Sequence, residues 1–184
     1  GEFRYMTEDF GFGRIWGGYL PNDDYYDDKN RSDLHFIHNW KINNQWSTNL
    51  EYNYASDKDY FADFNNNPNT RTDLNLRRAW ELNYRNGIPG LKAQLKVEDF
   101  QTLDKTIDDK DKPYARLPQF LLNYVGGDPQ GLQYEFNNDT AYFKKSISDQ
   151  SALESSGTRI YNQFAVRYNY LTPSWFYAVP EISI

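Results

Sequence analysis

The stretch from residue 45 to residue 54 constrains the fold more than any other part of the chain. Polar and apolar side chains alternate along it without interruption. A period of two places successive side chains on opposite faces of a β-strand. The sequence therefore predicts one strand with an apolar face (Trp46, Thr48, Leu50, Tyr52 and Tyr54) and a polar face (Gln45, Ser47, Asn49, Glu51 and Asn53).

The same alternation recurs along the rest of the chain. It is clear at 33–42, 91–97, 131–136 and 159–170, less clean at 117–125, and weaker at 2–7, 12–20, 73–85 and 175–184. Several of these windows exceed the usual strand length of about 5–6 residues and match the 9–11 residues of a tilted membrane strand. We expect an all-β fold, an antiparallel up-and-down meander of about ten long strands.

The connections between these windows alternate between long and short. The long ones span 21–32, 55–72, 101–113 and 144–158, and the short ones span 43–44, 86–90, 126–130 and 171–174. Strict alternation places every long loop at one end of the sheet and every short turn at the other. Outer-membrane barrels have this asymmetry, whereas a sandwich with Greek-key connections is not expected to keep it.

Composition excludes several other classes of protein. The net charge of −6 argues against a nucleic-acid binder, and 5 Trp, 16 Tyr and 12 Phe argue against disorder. No apolar run approaches the 18 or so residues of a membrane-spanning helix, a criterion that does not apply to membrane strands. The absence of cysteine excludes disulfides, thiolate metal sites and a cysteine nucleophile.

Three residues do not fit this pattern. Arg78 is in register with Leu76 and Trp80 on an apolar face, where an arginine at the centre of a membrane costs about 2–4 kcal/mol. We expect it to lie at headgroup level, or the register to slip there. Pro118 and Pro180 fall inside apparent strands and each removes one ladder donor, so a bend or bulge is expected at both.

The sequence offers little catalytic chemistry. His35 and His38 are three residues apart in a strand, which places them on opposite faces and prevents them from sharing a metal ion. Neither has a serine nucleophile in a recognisable local signature, so we expect no enzyme, no cofactor and no metal site. The acidic runs in 21–32 and 101–113 lack the ligand order of a calcium loop and are interpreted as solvated loops.

One loop segment has a pattern of its own. In the stretch from Ser56 to Phe64, a serine is followed three residues later by an acid, and three aromatic rings follow. This pattern predicts a short capped helical turn. Its rings are expected to pack on neighbouring loops, because a loop that buries aromatic side chains usually has a fixed structure.

Four strings in the chain are distinctive: 1–5 (GEFRY), 18–23 (GYLPND), 50–54 (LEYNY) and 56–64 (SDKDYFADF). In their order and spacing they resemble the LptD family of outer-membrane lipopolysaccharide-assembly proteins, also called the organic solvent tolerance family. The resemblance runs along the whole chain, and the last string is its most specific part.

The resemblance implies a very large antiparallel barrel in the Gram-negative outer membrane. Such a barrel holds a lipoprotein plug, LptE, and passes lipopolysaccharide from a periplasmic bridge into the outer leaflet, among outer-membrane lipid. The chain at 1–184 would be a single segment of the barrel, its early-to-middle strands, without the family's periplasmic jelly-roll domain, its cysteines or its gate strands. No gate or catalytic residue is therefore carried onto it.

The resemblance also implies roles for individual side chains. Gln45, Ser47, Asn49, Glu51 and Asn53 would line the lumen, and Trp46, Leu50, Tyr52 and Tyr54 would face lipid. Arg77 and Arg78 would meet lipopolysaccharide phosphates near the outer leaflet.

Two other functions remain open at this point. A generic porin-type channel shares the strand pattern, and a soluble secreted all-β module would use the same aromatic side chains to bind carbohydrate. About ten strands without further partners also leave two sheet edges. The segment must then close as a smaller barrel, pair with another copy or belong to a larger sheet.

Overall fold

The chain folds into one large antiparallel sheet, in which each strand pairs with the next along the sequence. The structure, a computed structural model, describes residues 1–64, 75–145, 156–168, 170–171, 177–178 and 181–183. The sheet has ten strands in the order β1–β9 and then β12. Their bounds are Glu2–Thr7 (β1), Gly11–Asp23 (β2), Lys29–Lys41 (β3), Trp46–Ala55 (β4), Asn75–Tyr84 (β5), Leu91–Thr102 (β6), Ala115–Gly127 (β7), Leu132–Lys144 (β8), Ser156–Tyr168 (β9) and Glu181–Ser183 (β12).

Little else in the described ranges is regular. A helix, α1, spans Tyr60–Phe64, a 3-10 turn spans Asp109–Asp111, and Tyr170–Leu171 (β10) pairs with Tyr177–Ala178 (β11). None of the helices described is long and apolar enough to cross a membrane. The predicted all-β meander is confirmed, and β1 and β12 occupy the two ends of the strand order.

The register separates side chains into two faces that continue from strand to strand. One row of register partners crosses the sheet from Tyr5 through Gly13, His38, Leu50 and Trp80 to Val97. We call the surface that these residues share the aromatic face. The opposite, charged face carries the odd-numbered residues of β3, β4 and β5, which include Arg31, Asp33, His35, Glu51, Arg77 and Glu81. In the described ranges, the ion pairs that join two strand residues all lie on the charged face.

The aromatic face has no second layer packed on it in the part of the chain that the structure describes. Trp46, Tyr52, Trp80, Phe120 and Phe164 each keep more than a third of their side chains exposed. The hydrophobic cluster of buried residues is small, and it lies where the long loops begin, at Ala55, Tyr60, Leu76 and Leu103. A single sheet with one uncovered apolar face needs a further apolar environment on that side.

The predicted alternation of long and short connections holds at 42–45, 56–74, 85–90, 103–114 and 128–131, but one predicted long loop is mostly strand, and the short connection predicted at 171–174 lies almost entirely outside the described residues. The short connections span 8–10, 42–45, 85–90 and 128–131, and the long side includes 56–74, 103–114 and 145–155. The loop expected at 21–32 shrinks to 24–28, because β2 continues to Asp23 and β3 already starts at Lys29. The ladder tolerates Pro21 and Asn22 there through a register shift between Leu20 and Asp23.

The two irregular positions that the structure describes behave differently. At Pro118 the register shifts against both neighbouring strands and the preceding peptide is cis, which confirms the expected bulge. Arg78 is the first residue of β5 that pairs with β4, and its pairing with β6 continues on both sides without a shift, so the register does not slip there. The corresponding expectation for Pro180 lies outside the described residues.

Tyrosine rings cover glycines at several points of the sheet. A Cβ on Gly13 would collide with the Tyr5 ring and would lie 2.7 Å from the carbonyl oxygen of Ile37. Glycine lets Tyr5 lie flat across β2 and reach His38 on β3, where its hydroxyl is 2.7 Å from Nδ1. Tyr134 covers Gly126 in the same way at the other side of the sheet. These pairs fill the space that a missing side chain leaves on a pleated surface.

A polar spot interrupts the aromatic face on β8 and β9. Asn138 and Asn162 are register partners, and Asn138 Nδ2 donates to Asn162 Oδ1 at 2.7 Å. Thr140 lies two residues along and hydrogen-bonds Asn138. Both asparagines occupy the middle of their strands. The two amides partly satisfy each other, as a polar group on an apolar surface must.

Replacing Gly13 with valine should destabilise the folded chain by about 1–3 kcal/mol, because the added side chain forces Tyr5 and its bond to His38 away. Gly157→Val is the matched control, since nothing lies within 4 Å of a Cβ there. Urea unfolding of the folded protein in detergent, followed by heat-modifiable gel mobility, measures the difference. Equal midpoints for the two variants would contradict the role assigned to the Tyr5–Gly13 contact.

Candidate functional site

The charged face of β4 carries four of the five residues expected to line a lumen. Ser47, Asn49, Glu51 and Asn53 share this face, whereas Gln45 lies in the turn before the strand. Asn53 has a fixed orientation, because its Nδ2 donates to Glu51 Oε1 at 2.9 Å and to the Arg77 carbonyl oxygen at 2.8 Å. The charged face of β4 is therefore polar and internally hydrogen-bonded. Trp46, Leu50, Tyr52 and Tyr54 lie on the aromatic face, as their alternation predicts.

Arg77 is the centre of an ion-pair network on the charged face. Its guanidinium donates to Glu51, Glu81 and Glu98 at 2.7–2.8 Å. Glu98 is buried and also receives Arg116 at 2.8 Å, so the network joins β4, β5, β6 and β7. Because all three nitrogens of Arg77 are already bonded to carboxylates, this residue links neighbouring strands of the sheet.

Arg78 lies on the opposite face from Arg77. Its Nε donates to the Asn53 carbonyl oxygen at 3.0 Å and its Nη2 to Gln101 Oε1 at 2.6 Å. The guanidinium carbon is 5.2 Å from the Tyr52 ring centroid and 5.9 Å from that of Tyr54. The two arginines, adjacent in sequence, are thus separated by the sheet, and the expected phosphate contact would have to occur on two different sides of it.

A third arginine, Arg31, organises the end of the sheet that carries the long loops. Only 3% of its side chain is exposed. It forms a two-pronged pair with Asp57, at 2.8 and 2.9 Å, and donates to Asp23 at 3.1 Å and Asp63 at 2.8 Å. We call this group of four residues the Arg31 cluster. A planar guanidinium with five donors suits such multiple carboxylate contacts, which a lysine could not reproduce.

Aromatic rings enclose the Arg31 guanidinium. The ring centroids of Tyr26 and Phe64 lie 4.4 and 4.7 Å from its central carbon, and that of Tyr60 lies at 5.7 Å. Cation–π contacts of this kind strengthen when water is excluded. Arg31 thereby joins the 24–28 turn, the end of β2 and the helix α1 around one buried charge.

The segment 56–64, which contains α1, lies against the charged face. Tyr60 donates its hydroxyl hydrogen to Asp33 Oδ1 at 2.6 Å, and the Phe61 ring centroid is 5.8 Å from that of His35. Asp33 and His35 belong to the charged face of β3. The rings of this segment pack as predicted, but chiefly on residues of strand β3 rather than on neighbouring loops, and the helical turn is present at Tyr60–Phe64.

The cap of that helical turn differs from the prediction. The Ser56 hydroxyl accepts a hydrogen bond from the Ser32 amide at 3.0 Å and donates to Asp57, so it ties the segment to β3. Asp57 Oδ1 instead accepts the Asp59 amide hydrogen at 3.0 Å. Its short acidic side chain serves both the loop backbone and Arg31.

The two titratable groups of this segment have shifted pKa values with identifiable causes. Burial raises the pKa of the Asp57 carboxyl, but hydrogen bonds from Arg31 and Ser56 outweigh that effect and hold the pKa below its ordinary value. Burial, and then the hydrogen bond to Asp33, raise the pKa of the Tyr60 hydroxyl. Tyr60 therefore remains a donor, and Asp57 remains a carboxylate, at neutral pH.

The two histidines lie on opposite faces, as predicted. His35 stacks on Trp16 with ring centroids 4.8 Å apart and has Asn53 Oδ1 at 2.8 Å from its Nδ1, whereas His38 meets Tyr5 on the aromatic face. Within the described ranges, no three His, Asp or Glu side chains are grouped so that they could hold a metal ion. The carboxylates of the Arg31 cluster are instead bound by the arginine.

Sequence reasoning missed Arg31, because the residue belongs to a loop in the predicted boundaries. The available signal was the density of aspartates in 21–32 and in the 56–64 segment, on either side of one arginine. The aspartates of 21–32 are interpreted from sequence as solvated, and those of 56–64 as part of a capped helical turn. Asp23 is in fact buried, and it faces Arg31 because β2 and β3 extend into the predicted loop.

Comparison with known proteins agrees with this architecture. Residues 29–184 match the family described as LptD, LPS transport system D. The whole chain is 75% identical to a protein of Acinetobacter baumannii, 68% identical to one of Acinetobacter baylyi and 43% identical to one of Psychrobacter cryohalolentis. Each of the three is named LPS-assembly protein LptD.

The chain spans about a fifth of the length of these relatives, 22%, 22% and 19% respectively. The match to the Acinetobacter baumannii protein covers all of the chain, and the family match covers residues 29–184. The chain therefore belongs to the LptD family.

Proposed function

We propose that this chain is a segment of the wall of an outer-membrane β-barrel that inserts lipopolysaccharide into the outer leaflet of Gram-negative bacteria. In this proposal the charged face lines the lumen and the aromatic face meets lipid. The segment contributes surface and stability, and it carries out no catalytic turnover. The family and the names of the relatives support the substrate class.

The segregation of charge between the two faces is the observation that carries this proposal. The register places only Arg78, Asp99 and Lys144 among the charged residues of the described strands on the aromatic face. All three lie towards the strand ends that carry the long loops. Membrane barrels show this distribution, with an apolar outer band and charges at its edges. A soluble carbohydrate-binding module would instead have to bury the aromatic face.

The charged face has a suitable surface for passing a large amphiphile. Its arginines are paired with carboxylates, as Arg77 is with three glutamates, and amides such as Asn83, Gln94, Asn123 and Asn137 bond one another between these pairs. A polar wall on which arginines such as Arg77 are held by carboxylates can hydrate sugars and phosphates while holding them weakly. Passage requires binding that is weak enough for release.

The 56–64 segment would lie over the lumen at the side of the long loops. Arg31, Asp33 and His35 hold it from the charged face, so it extends inward from the wall. In the proposed orientation this segment narrows the outer mouth. Narrowing supports a translocating barrel over an open porin-type channel, the alternative function that shares the strand pattern.

Two protein partners follow from the proposed function. A lipoprotein plug of the LptE type would contact the charged face inside the barrel, and a periplasmic lipopolysaccharide-transport bridge would deliver the substrate through a domain outside this chain. No nucleic acid partner is proposed, in keeping with the negative net charge.

An arginine introduced on the aromatic face should be far more damaging than one on the charged face. Leu50→Arg would place a charge in mid-strand among Trp80 and His38, at a cost of about 2–4 kcal/mol if that face meets hydrocarbon. Asn49→Arg, one residue away on the other face, is the control and should cost little. Folding of the full-length protein into lipid vesicles measures both. Equal folding yields would reverse or remove the lipid assignment.

Loss of Arg31 should release the 56–64 segment. Arg31→Gln leaves Asp57 and buried Asp23 without their cation, and we expect a loss of about 3–5 kcal/mol, as for other broken buried pairs. Arg4→Gln is the control, because the Arg4 pair with Glu2 is exposed and contributes about 0–1 kcal/mol. Hydrogen exchange of residues 56–64 in the full-length protein is the measurement. Unchanged protection of residues 56–64 in Arg31→Gln would refute the conclusion that Arg31 holds this segment on the sheet.

The attachment of the 56–64 segment to Arg31 depends on pH, because Asp57 must be ionised to form the ion pair. Its folded-state pKa lies below the unfolded value, so its stabilisation is present above the unfolded pKa, about 3.9, and is lost as the pH falls through the folded pKa. The protection factors of residues 56–64, which correct the exchange rates for the intrinsic pH dependence of amide exchange, should therefore fall on acidification below about pH 4. Asp57→Asn should exchange rapidly already at neutral pH. Acid-insensitive protection would contradict the assigned ion pair.

Cells that depend on the full-length protein with Leu50→Arg should show less newly made lipopolysaccharide at the surface and greater sensitivity to detergents. Asn49→Arg cells should resemble the parent. Vesicles that contain the parent protein should swell little in small sugars. Normal surface lipopolysaccharide in cells whose Leu50→Arg protein fails to fold, or porin-like swelling, would defeat the proposed function.

A further inference from the structure

Arg78 combines three properties that bear on ligand binding. It is charged, it lies near the long-loop end of β5, and its position does not depend on an ion pair. Gln101 on β6 fixes its position. Gln101 Nε2 donates to the Ala55 carbonyl oxygen at 2.6 Å, and Gln101 Oε1 accepts hydrogen bonds from the Ala55 amide at 3.2 Å and from Arg78 Nη2 at 2.6 Å. The guanidinium is thus preorganised by uncharged groups.

Donors remain available at this guanidinium. Nε and Nη2 are used once each, and no partner of Nη1 is found within the described ranges. The rings of Tyr52, 37% exposed, and Tyr54 lie beside it, with centroids 5.2 and 5.9 Å from the guanidinium carbon. Arginine with surplus donors, set among tyrosines at the edge of an apolar band, is suited to an anion at the membrane interface.

Asp99 is the one nearby group that opposes an anion. It is the register partner of Arg78 on β6, yet the described residues show no ion pair between the two within 4.0 Å. The cation is therefore not neutralised by direct contact, although the carboxylate weakens the attraction of a phosphate. This arrangement makes the charge of Asp99 a means of testing the site from the opposite direction.

We propose that Arg78, with Tyr52, Tyr54 and Gln101, forms a binding site for the phosphate of a lipid headgroup on the outer wall of the barrel. Arg78 donates to the phosphate, the tyrosines offer hydroxyl groups, and Gln101 positions the guanidinium. The ligand is a phosphate-bearing lipid of the surrounding leaflet, either lipopolysaccharide or phospholipid. The site rests on the proposed function for its membrane setting, but it does not require transport through the lumen.

Arg77 has no part in this site. It lies on the other face, and its donors are bonded to Glu51, Glu81 and Glu98. The phosphate contact expected for the two arginines from sequence is therefore proposed for Arg78 alone. The pairing of Arg77 with carboxylates supports a role in the wall.

The test uses the full-length protein in a zwitterionic detergent and counts bound lipid by native mass spectrometry. Three probes are titrated: lipid A with two phosphates, the same lipid A with its phosphates removed, and phosphatidylglycerol. Arg78→Gln should weaken binding of the phosphorylated probes about fivefold, as expected for one basic residue near a membrane surface. Asp99→Asn should strengthen it a few-fold, because it removes a repelling charge.

Lys92→Gln is the charge-matched control, since Lys92 is exposed on the charged face and its loss removes one positive charge elsewhere. It should bind like the parent. Preference for lipid A over phosphatidylglycerol would assign the site to lipopolysaccharide, and equal binding would assign it to lipid phosphate in general. Equal binding by Arg78→Gln and the parent, or binding that is unaffected by removal of the phosphates, would overturn the proposal.

The outcome is separable from that of the proposed function. If Arg78→Gln binds normally while Leu50→Arg still impairs lipopolysaccharide assembly, only the phosphate site fails. If phosphate binding depends on Arg78 but assembly is indifferent to the wall variants, the site stands and the proposed function fails.

Discussion

The antiparallel pairing from β1 to β9 is the constraint on which the rest of this structure depends. Because side chains alternate along each strand and partners share a face, one continuous register sorts the residues of every strand into the same two surfaces. Shifts occur at Leu20–Asp23 and around Pro118, near the long-loop ends, where an altered direction of side chains affects few neighbours. The central parts of the strands remain regular.

Arginine solves three different problems in this sheet. Arg77 links neighbouring strands within the wall, Arg31 holds a loop segment onto it, and Arg78 lies on the other side with uncharged partners. The difference follows from position. Strand parity decides which carboxylates each guanidinium can reach, and distance from the strand end decides whether a loop can enclose it.

Much of the architecture is predictable from the sequence, because a half-polar strand leaves a period of two that needs no partner to be recognised. The alternation of Trp46–Ala55 is of this kind. The bulge at Pro118 is predictable for another reason, because proline lacks the amide hydrogen that the ladder needs. The extension of β8 to Lys144 is not, since Asn137, Asn138, Asp139 and Thr140 are polar on both faces and only the neighbouring strands hold them in the ladder. The Arg31 cluster was likewise hidden, because its carboxylates come from two separate segments.

The amide pair of Asn138 and Asn162 has a consequence for how the sheet assembles. If β8 and β9 paired two residues out of alignment, the face pattern would be preserved, and Asn138 would lie opposite Ile160 or Phe164. Its amide would then lose the Asn162 oxygen as an acceptor, at a cost of about 0.5–1.5 kcal/mol for one hydrogen bond. Hydrophobic contacts alone discriminate poorly between such alignments. The pair therefore favours the observed alignment of these two strands over alignments that are shifted by two residues.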